Sequence, residues 1–157
     1  MTDRVQLVAG LPAPAFSLPG YDEKLVTLDD FKGRGLILYF YPKDNTAGCT
    51  TEALGFRDHL ADFEALGYQV VGVSRDSVKS HCGFRDRQGL NFLLLADKEE
   101  EACNAYGVMK EKMMYGKKCR GIERSTFVID ENGVIKAALY GVKAKTHVEE
   151  LLASLKA

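Results

Sequence analysis

The chain has 157 residues, 46% hydrophobic and 27% charged, an ordinary globular composition that excludes disorder and supplies enough apolar surface for a core without staples. Lys and Arg number 21 against 22 Asp and Glu, for a net charge of −1, so no overall attraction to nucleic acid or an anionic membrane is expected. No apolar run approaches the roughly 18 residues of a membrane span, and Met1-Thr2-Asp3-Arg4-Val5-Gln6 lacks the look of an export leader. These features read as one intracellular, cytoplasmic domain over 1–157.

In chain order, Ala15 to Leu18 and Leu25 to Leu28 form short apolar pieces split by Pro19-Gly20, an early hairpin or edge pair. Leu36 to Tyr41 is continuously apolar and β-prone, as in a strand covered on both faces. After the loop Pro42 to Gly48, apolar residues from Ala53 to Leu66 recur at helical spacing until Gly67. Tyr68 to Ser74 is a second buried strand, and Asp76-Ser77 can cap a helix that runs to about Gln88 and ends at Gly89. Asn91 to Leu95 predicts a third strand and Lys98 to Tyr106 a short helix, followed by an irregular basic stretch from Lys110 to Arg124. Ser125 to Ile129 and Val134 to Tyr140 flank Asp130-Glu131-Asn132-Gly133, a hairpin with an Asn-Gly turn, and Lys143 to Leu155 is a closing amphipathic helix.

This alternation implies an α/β three-layer sandwich, a mixed sheet with helices on both faces. Its order matches a thioredoxin-like layout with an N-terminal hairpin extension, which by itself says nothing of function.

Four cysteines, at 49, 82, 103 and 119, are separated by gaps of 33, 21 and 16 residues. No Cys-x2-Cys pair occurs and His59, His81 and His147 are scattered, so neither a zinc site nor a disulfide framework is indicated. Redox or nucleophilic thiol chemistry is the better expectation. Open α/β sheets place their sites outside the carboxyl ends of the parallel strands, and Cys49 falls there, in the first turn of the helix after the first buried strand. Free backbone N–H groups and the helix dipole favour a thiolate at such a position. Thr46 can bring its hydroxyl to the same pocket, Pro42 can wall the thiol from water, and Gly48 permits close backbone approach. The alternative is that Cys49 is simply a small buried hydrophobe.

Pro42-x3-Thr46-x2-Cys49, embedded in Tyr39-Phe40-Tyr41-Pro42-Lys43-Asp44, resembles the active-site loop of the peroxiredoxins, and within them the bacterioferritin-comigratory (Q-type) subfamily. The likeness extends through Pro14-Ala15-Phe16-Ser17-Leu18, Gly72-Val73-Ser74-Arg75-Asp76 and Arg124-Ser125-Thr126-Phe127; Ala47 stands where the family often has Pro.

The resemblance implies a thiol peroxidase for hydrogen peroxide and organic hydroperoxides, with no metal, flavin or haem cofactor. Cys49 would be the peroxidatic nucleophile, Arg124 would hold it as thiolate and orient the peroxide, and Thr46 would hydrogen-bond the peroxide. The resulting sulfenic acid would condense with a second thiol into a disulfide, recycled by thioredoxin. Many Q-type members have the resolving Cys five residues after the peroxidatic one, where this chain has Leu54. Others have it nearer the position of Arg85, and Cys82 is the candidate here.

Cys119, in the basic stretch near Arg124, and an external thiol are the other options, while Cys103 sits with Ala102 and Tyr106 on a core stripe. His59 and His81 are expected to face solvent, and Met113-Met114-Tyr115 to pack, or else to wall the peroxide pocket. A monomer is expected. A thioredoxin-type reductase would need the absent Cys-x2-Cys, and a holdase on the same fold would survive loss of Cys49.

Overall fold

Residues 35–40 carry the most apolar stretch of the chain, and in the computed structural model they form a central strand. The structure describes residues 5–157, apart from the side chains of Lys112 and Met114. The segment Met1–Arg4, read above for a leader, lies outside the described residues. The elements run β1 (Ser17–Pro19), β2 (Leu25–Thr27), a 3-10 turn (Leu28–Phe31), β3 (Gly35–Phe40), α1 (Ala47–Ala65), β4 (Tyr68–Ser74) and α2 (Val78–Gln88). They continue through β5 (Leu93–Ala96), α3 (Glu101–Ala105), β6 (Met109–Met114), β7 (Lys117–Ile122), β8 (Ser125–Ile129), β9 (Ile135–Tyr140) and α4 (His147–Lys156).

The main sheet has the order β5-β4-β3-β8-β9. β3, β4 and β5 are parallel, whereas β8 runs antiparallel to β3 and β9 antiparallel to β8. Because side chains alternate across a strand, β3 feeds two cores. Leu36, Leu38 and Phe40 join Val71, Val73, Leu95 and Phe127 on one face, under Leu18 of β1 and Ala102 and Cys103 of α3. Ile37, Tyr39 and Tyr41 join Val70, Leu94 and Val128 on the other, against Phe56 and Phe63 of α1, Phe84 of α2 and Leu151 of α4. This is the mixed sheet with helices on both faces that the sequence implies.

Local signals act where they were read. Ser77 Oγ accepts from the Ser80 N–H at the start of α2, and Gly89, at φ +63°, closes it with its N–H on the Arg85 carbonyl. In the 130–133 turn, Asp130 Oδ1 accepts from the backbone N–H groups of Asn132 and Val134.

Two expectations are corrected. The stretch 110–124 is not irregular but an antiparallel hairpin of β6 and β7, paired from Met109↔Ile122 to Met114↔Lys117. Its turn residues Tyr115 (φ +52°) and Gly116 (φ +78°) both have positive φ, the geometry of a two-residue type I′ turn, although Tyr is an unusual first residue there. Charges on both sides of the strands hide the alternation that would otherwise announce them. Met113 and Tyr115 are also not packed: Tyr115 is 99% exposed at the hairpin tip. Met114, named with them, has a side chain outside the described set.

Close packing between strands sets one requirement on the backbone. A Cβ at Gly72 would lie 2.8 Å from both Leu94 Cδ2 and Tyr39 Cζ, two fully buried side chains. Gly72→Ala should therefore destabilise the fold by about 1–3 kcal/mol through overpacking, seen as a lower urea midpoint with an unchanged slope.

Candidate active site

The chain leaves β3 at Phe40, passes through Tyr41 and the half-buried Pro42, and enters α1 after its N-cap, Thr46. Cys49 is the third residue of α1 and is 2% exposed. The antiparallel pairing of β3 with β8 puts Ser125 opposite Phe40, so Arg124, one residue before β8, lies at the carboxyl end of β3. From there its Nη2 donates to Cys49 Sγ at 3.4 Å and its Nη1 donates to Glu52 Oε1 at 2.7 Å. Gly48 makes room for this cation, since a Cβ on it would lie 3.1 Å from Arg124 Nη2. Cys49 and Arg124, distant in sequence, are thus brought into direct contact.

Glu52 is a member of this group that the sequence reading did not single out. It follows Cys49 by three residues, hence on the same helix face, and it is fully buried. A carboxyl on the buried face of a helix, one turn after a thiol, was the signal available. Its Oε2 has no hydrogen-bond partner among the described residues. Burial pushes the Glu52 carboxyl up to about 7, with the Arg124 guanidinium pulling against it. Near neutral pH, therefore, Glu52 moves between a neutral donor-acceptor and a carboxylate that shares Arg124 with Cys49. For Arg124, burial opposes the charge, but Glu52 and Cys49 outweigh it and hold the guanidinium above its usual range.

Thr46 is exposed and its Oγ1 donates to the Lys43 carbonyl at 2.8 Å. With its hydrogen so used, the hydroxyl offers lone pairs to any molecule in the loop. Cys82 lies in the second turn of α2, partly buried, and its Sγ donates to the Tyr21 carbonyl at 3.4 Å. Arg85, one turn further, sets its guanidinium 4.3 Å from the centre of the Tyr21 ring. Cys103 is buried in the core, and its thiol is pushed up by burial and by the neighbouring Asp97. Cys119 is exposed on β7, and all four cysteines are free.

The expectation for His81 is overturned. Its ring is 1% exposed, with Nδ1 at 2.7 Å from Asp44 Oδ2 and Nε2 at 2.9 Å from the Leu95 carbonyl. The reason is that α2 turns this position inward over the end of β5, where Leu95 and Asp44 offer acceptors. His59 is half-exposed beside Asp62.

Asp44, Asp76 and His81 bring possible ligand atoms within 4.8 Å of one another, the one such group among the described residues that could hold a metal ion. Those atoms are already engaged: Asp44 accepts from Tyr41, Ser80 and His81, and Asp76 Oδ2 accepts from Ser74 Oγ and the Asp44 N–H. Among the described residues no helix is long and apolar enough to cross a membrane.

The AhpC/TSA family model matches residues 9–138. Peroxiredoxin Bcp of Xanthomonas campestris is 47% identical over 161 aligned positions, covering 100% of this chain and 98% of the relative. Peroxiredoxin Bcp of Bacillus subtilis is 46% identical over 147, covering 94% of each. The solved Xanthomonas campestris bacterioferritin comigratory protein, studied for alkyl peroxide reduction, superposes with a TM-score of 0.86 at 43% identity over 98% of both chains. A cysteine-to-serine variant of Xylella fastidiosa PrxQ gives 0.86 at 44% identity, over 99% of this chain and 96% of that one. With a thiol held by an arginine at the mouth of a thioredoxin-like sheet, and likeness running the length of the chain, the protein belongs to the AhpC/TSA family, as a thiol peroxidase of its Bcp, or peroxiredoxin Q, branch.

Proposed function

We propose that residues 1–157 act as one peroxiredoxin domain that reduces hydrogen peroxide and organic hydroperoxides through a Cys49 sulfenic acid. The observation that carries this reading is the 3.4 Å contact between Arg124 Nη2 and Cys49 Sγ, in a site from which Cys49 is shielded from bulk water. A guanidinium stays charged and can hold a thiolate and a peroxide oxygen at once. Cys49 attacks the terminal peroxide oxygen, the O–O bond breaks, and the other oxygen leaves as water or alcohol after taking a proton. Thr46 accepts a hydrogen bond from the bound peroxide, and Pro42 closes the loop. The Cys82 thiolate then attacks the sulfenic sulfur, forming an S–S bond and releasing hydroxide, which is protonated to water. A dithiol reductant of thioredoxin type returns both cysteines to thiols. No metal or organic cofactor enters this scheme, and we place the enzyme in the cytoplasm as a monomer. The alkyl peroxide chemistry of the Xanthomonas campestris relative supports the organic substrates.

Mass spectrometry after one equivalent of hydrogen peroxide, with non-reducing peptide mapping, tests this. A Cys49–Cys82 linked peptide is expected; a Cys49 that stays reduced overturns the peroxidase reading. Cys49→Ser should abolish peroxide consumption, whereas Cys82→Ser should retain one turnover and then stall with Cys49 oxidised. Arg124→Gln should slow the peroxide reaction by about 10²–10³-fold, the usual cost of one aimed donor, measured as the second-order rate constant.

Glu52 imposes a pH dependence. Its carboxyl goes from an ordinary 4.5 to about 7 on folding, so the folded chain holds this proton more tightly than the unfolded one. Its contribution to stability is then full below about pH 4.5 and is lost as the pH rises through about 7. Glu52→Gln should remove that loss, so the difference in unfolding free energy between pH 5 and pH 8 should shrink in urea titrations.

A further inference from the structure

The turn between β1 and β2 reaches α2 through one residue, Tyr21. Its Oη donates to the Phe92 carbonyl at 2.7 Å, and the turn closes behind it with the Gly20 N–H on the Lys24 carbonyl at 3.0 Å. Burial holds the Tyr21 hydroxyl above its usual range, so this platform stays uncharged. Two side chains of α2 rest on it. Cys82 Sγ donates to the Tyr21 carbonyl at 3.4 Å, and the Arg85 guanidinium lies 4.3 Å from the centre of the Tyr21 ring. Residues three apart share a helix face, so the sulfur and the cation meet the same neighbour from the same side.

Arg85 is fixed from two directions. Its Nε donates to Asp86 Oδ1 at 3.0 Å, while the Tyr21 ring receives its face. The Asp86 carboxylate holds this guanidinium above its usual range, and the nearby Cys82 sulfur adds to the effect. To the Cys82 thiol the two neighbours offer opposite things. The Tyr21 carbonyl accepts the S–H proton, but once that proton is gone it presents only lone pairs to a negative sulfur. A guanidinium attracts that same charge. The thiolate is the form that attacks, so the resolving step turns Cys82 from the carbonyl toward Arg85.

We propose that Arg85, set in place by the Tyr21 ring, is a positioning residue for the resolving step, and balances the negative charge of the Cys82 sulfur as it attacks the oxidised Cys49. The inference rests on Cys82 as the resolving thiol. Cys82 gives its proton to water, and its thiolate attacks the Cys49 sulfenic sulfur. The S–S bond forms as the S–O bond breaks, and hydroxide carries the charge away to become water. Arg85 acts through Cys82 and takes no part in the attack on peroxide. Each thiol thereby has its own guanidinium, Arg124 for Cys49 and Arg85 for Cys82. The Arg85 side chain is 34% exposed, so water screens it and its effect is that of a surface charge pair.

The test uses Arg85→Gln, which removes the charge, and Arg85→Lys, which keeps it. Iodoacetamide alkylation of the reduced chain, read by peptide mapping, follows Cys82 with the exposed Cys119 as reference. Rapid-quench mass spectrometry after hydrogen peroxide follows Cys49 sulfenic acid and the Cys49–Cys82 peptide. Arg85→Gln should slow both Cys82 alkylation and formation of the linked peptide by about 2- to 5-fold, the worth of one exposed charge pair. Cys119 alkylation and the appearance of sulfenic acid should not change. Added salt should narrow the difference from wild type, and Arg85→Lys should return both rates toward wild type. A merely structural role would leave the lysine variant as slow as the glutamine one, with a difference insensitive to salt, and that result overturns the proposal. If the wild-type chain forms the linked peptide and Arg85→Gln forms it as fast, the role of Arg85 is overturned and Cys82 stands. If the wild-type chain forms no Cys49–Cys82 peptide, the resolving assignment falls and the role of Arg85 with it.

Discussion

The site depends on one strand pairing. Because β8 runs antiparallel to β3, the residue just before β8 arrives at the carboxyl end of β3, where the loop to α1 begins. A residue 75 positions from Cys49 is thereby set beside it at hydrogen-bonding distance. Shifting that register by one residue would turn every side chain of β8 to the other face of the sheet. The register is secured by Val128 on one face and Phe127 and Ile129 on the other, all essentially buried. Core packing that has no part in the chemistry thus fixes the chemistry's geometry.

A guanidinium in this position must be compensated, since a partly buried charge without partners is costly. Arg124 has two acceptors of different strength, a carboxyl that gains and loses its charge near neutrality and a sulfur that carries charge only as thiolate. Nearby, His147 is kept neutral. Burial lowers it to about 4, with the Arg124 charge acting in the same direction against Glu150. As a neutral ring it pairs through Nε2 with Thr126 Oγ1 at 2.7 Å, anchoring α4 to β8. With His147 neutral, α4 adds no side-chain cation there, and the positive field at Cys49 comes from Arg124 and the start of α1.

Much of this was legible in the residues. β3 is announced by an unbroken apolar run, β4 by a mostly apolar one around Val70 to Val73, α2 by Ser77 and Gly89, and Cys49 by its place after a buried strand. What was hidden involved surroundings supplied by distant segments. His81 reads as a polar helix residue until β5 and the Cys49 loop present acceptors to it. Glu52 reads as one more surface acid until Arg124 closes over it. The β6–β7 hairpin lacks both clear alternation and a Gly-led or Asn-led turn, so neither local rule detects it. The arginine was found through the motif around it, as its sequence neighbours alone suggest a solvated cation.

The core thiol has a consequence for how the molecule survives its own substrate. Cys103 lies on the face of the sheet opposite the Cys49 cluster, fully buried, with its proton held by burial and by Asp97. A protonated, enclosed sulfur is a poor nucleophile, so Cys103 offers no reactive thiol on the far side of the sheet from Cys49. The scaffold is chemically inert where it is densest. If Cys49 is the reacting thiol, as proposed, this enclosed sulfur stays out of the oxidation, and the packing around it is left as it was.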